Sequence, residues 1–434
     1  MTVAPPVLSK IGWLLFSQVH KTSFFFLISN WAQALRPYYY SMLHLPKFRK
    51  PFLILILATS LILISFLVNN FASASFIINS IEFIGQATLP TGLTFQKTEV
   101  GGLSGITYDA KNNLYYAISD DRGQEAPPRF YTLTIDLSKG KLNNNGVVPV
   151  GVTNLLDNNN QPFLLNTTDT EGVALTNKDT IFVSSEGDVD RLINPFIKEF
   201  ALASGKTINT LPILDKFLPD SQKQKGIRNN LAFESLTITP NQKLLFTATE
   251  NALIQDGTAA QSGVGTSCRI LQYNLLTKQP EQEFLYQTQP VTPLFNPTGK
   301  FASGLPDLVA IDNAGNFLSI ERSFTGLGFA VSLFQVSLNK ATDIHSLDNI
   351  TEIDPDKIQP AAKKLLLDLR TLDVSLDNIE GLTLGAKLPD GQPSLILISD
   401  NNFNGLQQTQ ILAFKLKIES SLTKLFRRFR IPNR

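Results

Sequence analysis

An acidic residue that opens a short apolar run is the pattern that most constrains this fold, because it recurs along most of the chain. A turn follows each run, and a second apolar run ends on another acidic residue. The five copies open at Ser104, Glu171, Glu234, Asp307 and Glu380, which lie 63 to 73 residues apart. This period exceeds that of most linear solenoids and is typical of a four-stranded propeller blade with long loops. The sequence therefore predicts an all-β propeller.

Two further apolar runs follow each pair and complete a blade, as Cys268–Tyr273 and Glu283–Tyr286 do in the third copy. The residues after Glu380, taken together with those from Ser75 to Ser104, make about one period plus a tail, so the count favours five blades. Six blades are the alternative, with one hidden between positions 307 and 380. The strand-like run 76–84 has no blade of its own. We predict that it pairs with the last blade and removes the open sheet edge.

The first 74 residues differ in pattern from the repeats. Residues 1–41 hold both tryptophans and show no strand alternation, and we interpret them as a mis-assigned extension before a true start at Met42. Residues 42–74 have a basic stretch, the apolar run 52–68 and small residues of a cleavage site, as a secretory signal does. Retention of 52–68 as a membrane anchor is the alternative, although its length is short for a span of roughly 20 residues. Either way, we expect the propeller, residues 75–418, to be exported to the periplasm or the cell exterior.

Composition narrows the expected partners. The formal net charge is +1, so the overall field does not favour nucleic acid or a membrane surface. The exception is the basic tail 419–434, which we interpret as a solvated terminus, with contact to anionic lipid as the alternative. A single cysteine excludes an intrachain disulfide. We expect a monomer that touches a membrane only through the N-terminal segment, if that segment is not cleaved.

The acidic residues are predicted to meet at one mouth of the axial channel. In antiparallel neighbours, the start of the first strand and the end of the second emerge at the same face. Glu171 should thus lie near Glu186, Glu234 near Glu250, Asp307 near Glu321, and Glu380 near Asp400. The single-residue alternative is that each acid merely caps a nearby turn. Repetition at both positions of four blades favours a shared site.

Such a group of like charges requires compensation. Three arginines follow closely on second-position acids and are candidates to pair with carboxylates or to hold phosphate: Arg122, Arg191 and Arg322. The supply of oxygen donors fits calcium best among common cations. The candidate metal ligands are Asp120, Asp121, Glu186, Glu250, Asp307, Asp400 and Asn401.

Absent residue types narrow the chemistry further. Without the leader, His345 is the only histidine. A Ser-His-Asp triad, a histidine-ligated zinc site and a phosphohistidine intermediate are therefore disfavoured. No phosphate-binding or dinucleotide-binding glycine motif occurs between a strand and a helix. Metal-assisted hydrolysis and simple ligand binding remain.

Several short motifs, taken together, resemble the phytase-like family known as "esterase-like activity of phytase". They are Gly101-Gly-Leu-Ser-Gly-Ile106, Ala117-Ile-Ser-Asp-Asp-Arg122, Asp169-Thr-Glu-Gly172, Ala232-Phe-Glu-Ser-Leu236, Ile320-Glu-Arg322, Asn378-Ile-Glu-Gly-Leu382 and Ile398-Ser-Asp-Asn-Asn-Phe403. The resemblance runs from about residue 98 to 416. It implies an exported protein with a phosphoesterase or phosphodiesterase activity carried by Glu171, Glu186, Glu234, Glu250, Glu321, Glu380 and Asp400. Glu234 is followed by Ser235 and not by glycine, a departure from the family pattern.

The sequence thus predicts an exported, calcium-assisted hydrolase of a small phosphoester. One of the carboxylates Glu171, Glu234, Glu321 and Glu380 would act as the base for water, and the arginines would hold the phosphate. Two alternatives stay open at this point. One is a propeller that binds a ligand or partner without catalysis, and the other is a calcium-dependent lactonase.

Overall fold

The computed structural model describes residues 76–293, 295–326 and 328–420. The predicted extension 1–41, the signal segment 42–74 and the basic tail beyond Ser420 lie outside the described residues. The strands are β1 (Phe76–Leu89), β2 (Thr94–Phe95), β3 (Thr98–Glu99), β4 (Leu103–Asp109), β5 (Leu114–Ser119), β6 (Arg129–Ile135), β7 (Val147–Asn154), β8 (Thr170–Leu175), β9 (Thr180–Ser185), β10 (Phe196–Ala201), β11 (Thr207–Leu211), β12 (Phe233–Ile238), β13 (Leu244–Thr249), β14 (Ser267–Asn274), β15 (Gln279–Gln287), β16 (Ala302–Ala310), β17 (Asn316–Phe324), β18 (Phe329–Ser337), β19 (Ala362–Asp368), β20 (Ile379–Lys387), β21 (Pro393–Ser399) and β22 (Thr409–Ser420).

These strands form five four-stranded antiparallel sheets and one short ribbon, β2-β3. Blades one to four take their strands in chain order, β4 to β7, β8 to β11, β12 to β15 and β16 to β19. Blade five has the order β20-β21-β22-β1. The first strands β4, β8, β12, β16 and β20 contact one another in a closed ring. They are therefore the innermost strands of a five-bladed propeller, as the repeat count predicted.

The ring is closed by the N-terminal strand. β1 pairs antiparallel with β22 from Phe76 opposite Ser420 to Leu89 opposite Thr409, and so supplies the fourth strand of blade five. The prediction that the run after residue 75 closes the last blade is confirmed. Because β22 lies between β1 and β21, it has no open edge through which another chain could pair.

Apolar side chains on both faces of each blade hold neighbouring blades together. In β21, Leu395 and Leu397 pack in a cluster with blade four, whereas Ile396 and Ile398 pack in a cluster with blade one. Similar clusters join blades one and two, two and three, and three and four. Since alternate residues of a strand point to opposite faces, strands buried on both faces read as continuous apolar runs. This explains the unbroken Leu-Ile-Leu-Ile segment.

Helical structure in the described part consists of single 3₁₀ turns at Asp215–Phe217, Ile254–Asp256, Ile350–Glu352, Pro355–Lys357 and Leu369–Thr371. None of these turns has the length and apolar character that a membrane crossing requires. Connections between strands are otherwise loops and turns, and their position relative to the ring decides which side chains reach the channel.

Removal of β1 should open the ring. A variant that lacks residues 1–89 loses the buried side chains of Ile78, Ile84, Ala87 and Leu89, and we expect the free energy of unfolding to fall by roughly 5 kcal/mol or more. Denaturant titration against a matched variant that lacks residues 1–75 measures the difference. Equal stability of the two variants would contradict closure by β1.

Candidate functional site

The first and second strands of each blade bring two chain positions to one face of the ring. In four blades the pairing at this face is Leu103 with Ser119, Thr170 with Ser185, Phe233 with Thr249, and Ile379 with Ser399. The residue after the second strand is acidic in each of these blades: Asp120, Glu186, Glu250 and Asp400. The mouth is therefore built from strand ends, as the antiparallel topology requires.

A β-bulge places the opening acid. In β12 and β20, Glu234 and Glu380 are the residues left out of the pairing with the second strand, and Ser104 holds the same place in β4. In β8 the irregularity falls between Thr170 and Val173 and includes Glu171. An unpaired bulge residue can be aimed away from the ladder, which makes bulges frequent next to active sites.

Glycine after the opening position lets the innermost strands approach each other. A Cβ on Gly172 would lie 2.8 Å from the carbonyl oxygen of Glu234, and one on Gly381 would lie 2.8 Å from that of Ser104. A Cβ on Gly105 would lie 2.4 Å from the carbonyl oxygen of Glu171. The acid-glycine signature in the sequence thus couples a mouth carboxylate to the close backbone contact that narrows the channel.

Among the described residues, eight carboxyl groups lie at the mouth: Asp120, Asp169, Glu171, Glu186, Glu234, Glu250, Glu380 and Asp400. Oxygens of Asp120, Asp169 and Glu171 lie within 4.8 Å of one another. Charge repulsion links the rest around the opening, from Asp120 to Asp400, Glu171 to Glu234, Glu186 to Glu250, and Glu234 to Glu380. The predicted neighbours Glu171 and Glu186, Glu234 and Glu250, and Glu380 and Asp400 interact in this group.

Blade four departs from the pattern by one residue. Asp307 pairs with Ile320, as Gly381 pairs with Ile398 in blade five. Arg322 therefore stands where the other blades carry the second acid, and Glu321 faces the opposite way, since a shift of one residue reverses the side of the sheet. The structure places an arginine, and not a carboxylate pair, at the blade-four segment of the mouth.

The predicted pairing of Asp307 with Glu321 at the mouth is therefore wrong. Asp307 accepts hydrogen bonds from the backbone amides of Leu308 and Leu382, both 2.8 Å long, and so links two inner strands. Glu321 accepts a hydrogen bond from the Tyr286 hydroxyl at 2.7 Å and forms an ion pair with Lys363. Neither carboxylate is directed towards the eight carboxyl groups of the mouth.

Arg322 is the cation inside the mouth. One of its terminal nitrogens lies 3.2 Å from Glu250 and 2.8 Å from Glu380, and its side chain is 11% exposed. Glu380 also accepts a hydrogen bond from the Asn378 amide at 2.9 Å. Arg322 thus compensates the charge of blades three and five. On the side formed by blades one and two, the buried Arg129 pairs with Asp121 and not with the mouth carboxylates.

Arg122 lies at the edge of the mouth, on the side formed by blades one and two. Its guanidinium meets both carboxylate oxygens of Asp169, at 3.0 and 2.9 Å, and donates to the side chain of Asn230. The side chain is 34% exposed, so part of the guanidinium faces solvent. Arg122 also adopts a left-handed backbone conformation (φ 54°), an uncommon state for a residue with a side chain.

Three other predicted site residues have different partners. Asp121 turns away from Asp120 and forms a buried ion pair with Arg129. Asn401 accepts from the backbone amide of Gly102 at 2.9 Å, which joins blade five to blade one. Arg191 lies 2.8 Å from Asp188 and is 47% exposed, on a loop beside Arg122. These contacts of Asp121, Asn401 and Arg191 stabilise the fold.

Burial and mutual repulsion raise the pKa of five mouth carboxyls. Burial is the main cause for Asp120, Glu171, Glu186, Glu234 and Asp400, and the neighbouring carboxylates add to it. Burial also raises the pKa of Glu380 to about 7, and Arg322 limits this rise. A carboxyl that titrates near neutral pH is suited to proton transfer.

The donors at the mouth fit a hard divalent cation. All are oxygens, and two of them, Oδ1 of Asp120 and Oε2 of Glu186, are buried without a hydrogen-bond partner. The Glu186 residue is only 2% exposed. Buried, unpaired carboxylate oxygens are unfavourable unless a cation or proton joins them. Oxygen ligands of this kind are those that calcium takes.

Asp169 and Asn378 were not among the predicted site residues. Each lies two residues before an opening acid, Glu171 or Glu380, and therefore on the same side of the extended chain. That spacing is visible in the sequence and could have identified both residues. Asn230 belongs to a loop, and no spacing rule indicates its contact with Arg122.

Comparison with known proteins gives one family. A family model described as "Phytase-like: Esterase-like activity of phytase" matches residues 98–403. No curated protein matches the chain.

Among solved structures, a thermostable family-43 glycoside hydrolase is similar at 10% identity and a TM-score of 0.41, covering 77% of this chain and 96% of that one. An endo-arabinase from Bacteroides thetaiotaomicron has 12% identity and a TM-score of 0.37, over 77% and 98%. The periplasmic gluconolactonase of Pseudomonas aeruginosa has 10% identity and a TM-score of 0.30, over 74% and 89%. Similarity at this level carries no argument about activity.

The raised pKa of Glu380 predicts how stability depends on pH. Its value is about 7 in the fold and 4.5 in a free side chain, so the folded state holds more protons between these values. With a chelator present, stability should fall as pH rises from about 4.5 to 7, with Glu380 contributing roughly 3 kcal/mol. Urea titrations across this range test it. Glu380→Gln should flatten the slope, and a wild-type profile that rises with pH in chelator would contradict the prediction.

Replacement of Arg322 should expose the repulsion that it offsets. Arg322→Met leaves Glu250 and Glu380 without their buried cation, and we expect a loss of about 3–5 kcal/mol in the free energy of unfolding at neutral pH. The control is Arg370→Met, because Arg370 is 58% exposed and its one ion pair within the described part of the chain is with Asp368. We expect that control to change stability by less than about 1 kcal/mol. Similar effects of the two substitutions would show that Arg322 has no special role.

Proposed function

Because the chain belongs to the phytase-like family, whose description is esterase-like activity of phytase, we propose that its mouth hydrolyses phosphate esters with the help of a bound calcium ion. The observation that carries the proposal is the group formed by Asp120, Asp169 and Glu171, whose oxygens lie within 4.8 Å of one another. The fold brings these three together from two blades, and the other mouth carboxylates surround them.

The metal would be held on the side of blades one and two. Asp120, Asp169 and Glu171 would supply its protein ligands, and Glu186 offers a further unpaired oxygen. When bound, calcium would neutralise the carboxylates and polarise a phosphoryl oxygen as a Lewis acid. Arg322 supports this choice of side, because it already compensates Glu250 and Glu380 across the mouth.

Arg122 would orient the phosphate. Its guanidinium is fixed by two contacts with Asp169, and its exposed part faces solvent at the edge of the carboxylate group. A planar guanidinium that is already held in place can donate two parallel hydrogen bonds to phosphate oxygens with little loss of side-chain entropy. The left-handed backbone of Arg122 fixes the direction from which the side chain leaves its loop.

Glu380 is the carboxylate that we assign as base. Its pKa of about 7 allows it to accept a proton from water near neutral pH. Arg322 and Asn378 both donate to Oε1, so Oε2 is the atom that would take the proton. The two donors also fix the rotamer of Glu380.

The proposal predicts that Glu171→Gln weakens calcium binding by about tenfold or more and lowers calcium-dependent turnover to a similar degree, since one charged ligand is lost without a change in shape. Calorimetric calcium titration gives the affinity, and release of nitrophenol from nitrophenyl phosphate and bis-nitrophenyl phosphate gives turnover. Glu199→Gln on β10, outside the mouth, is the control and should leave both quantities unchanged.

The outcomes separate the alternatives. Calcium binding with no turnover of any ester would favour a propeller that binds a ligand without catalysis. Opening of lactones with no action on phosphoesters would favour a lactonase. Phosphoester turnover that persists in chelator would contradict the role assigned to calcium, even if the mouth is the active site.

A further inference from the structure

Exposed large apolar side chains are concentrated on one face of the propeller. Loops that follow a second strand or precede a first strand lie on the face of the mouth, because those strand ends meet there. Six large apolar residues of these loops are 51% to 93% exposed: Leu164, Leu165, Leu192, Val264, Phe295 and Leu406. We call them the apolar rim.

The opposite face differs. Among the described residues, the exposed large apolar side chains outside the rim are Val148, Val150, Ile208, Leu276 and Leu365. Four of them lie on β7, β11 and β19, which are fourth strands at the outer edge of a blade. Only Leu276, in the turn between β14 and β15, belongs to a loop of the opposite face. The asymmetry is therefore a property of the loops and not of the strands.

The rim lies next to the polar groups of the mouth. Asn166, which follows Leu165, donates its amide to the carbonyl oxygen of Arg122 at 2.9 Å, and its own carbonyl accepts from Arg191. Leu192 is the next residue after Arg191. Two exposed leucines thus stand on loops joined to each other and to the arginine at the edge of the carboxylate group.

This arrangement fits a lipid surface better than a folded partner. The six rim residues belong to five loops around a charged opening, so a compact partner would have to match several separate tips and a polar centre at once. A fluid apolar medium accepts separate tips without shape complementarity. Arg122 and Arg191 are 34% and 47% exposed and can meet the phosphate of a headgroup, whereas the carboxyl groups of the mouth disfavour a lipid with net negative charge.

We propose that the face of the mouth docks on a surface of zwitterionic phospholipid, with the apolar rim inserted between headgroups. The docking does not require turnover at the mouth, so it stands or falls separately from the hydrolase proposal. Single exposed apolar residues are ordinary, but a concentration of them at one functional opening is typical of an interaction surface.

A fluorescent label on matched positions tests the orientation. Cys268 is the only cysteine and is fully buried, so an environment-sensitive nitrobenzoxadiazole label attaches to an introduced cysteine. Leu406→Cys reports on the rim, and Leu276→Cys reports on the opposite face with almost the same exposure in the parent residues, 93% and 91%. The full chain is mixed with vesicles of phosphatidylcholine and phosphatidylethanolamine.

We expect a blue shift and a gain in emission from the label at position 406 and no change at position 276. Because both variants carry the same apolar segment 52–68, attachment through that segment alone would affect the two labels equally, and an equal response would overturn the proposal. So would the absence of any response at 406. A shift at 406 that appears without lipid and grows with protein concentration would assign the rim to a second copy of the chain.

Substitution of rim residues supplies the second test. In the Leu406→Cys background, Leu164→Ser, Leu165→Ser and Leu192→Ser together should raise the lipid concentration needed for the shift by at least about tenfold. The control carries Val148→Ser, Val150→Ser and Ile208→Ser, which change three exposed apolar residues of outer strands. An unchanged response in the first variant, or an equal loss in both, would contradict insertion of the rim.

Discussion

Repulsion among carboxyl groups at one opening is the constraint on which the other features of this site depend. Eight such groups face the mouth, and Arg322 and Arg122 pair with only some of them. The rest must bind protons or a cation, because buried like charges cannot all remain ionised at short range. Burial, with this repulsion added, raises the pKa of Asp120 and Glu186, and each keeps an unpaired buried oxygen that the proposed calcium ion would join.

The ring of sheets gathers the carboxyl groups at one opening and also places a cation among them. Fivefold repetition of a strand pair brings two positions per blade to the mouth, and bulges aim the opening acids towards it. Blade four interrupts the repetition by one residue and so places Arg322 where an acid would otherwise stand. The site is consequently divided. Arg322 pairs with Glu250 and Glu380 in one half, and in the other half Arg122 pairs with Asp169, beside Asp120 and Glu171, where we propose the metal.

Much of this could be predicted from the sequence, and the failures have a physical cause. The period of the repeat and the pattern of apolar residues were enough to predict the all-β class, the five blades and the closing strand. These features depend on strand pairing and on which faces of the strands are buried. The positions of Asp307 and Glu321 depend on register, and a one-residue bulge reverses a side chain without changing the local pattern of residue types. Partners such as Asn230 come from loops, whose course no periodicity describes.

The central claim is that a hard cation occupies the half of the mouth formed by blades one and two. Crystals of the protein grown with calcium, measured for anomalous scattering, test it most directly. The account predicts a peak among Asp120, Asp169 and Glu171, with carboxylate oxygens at about 2.3–2.6 Å. A mouth without any peak, or a calcium ion bound elsewhere while none is bound by these three carboxylates, would contradict it.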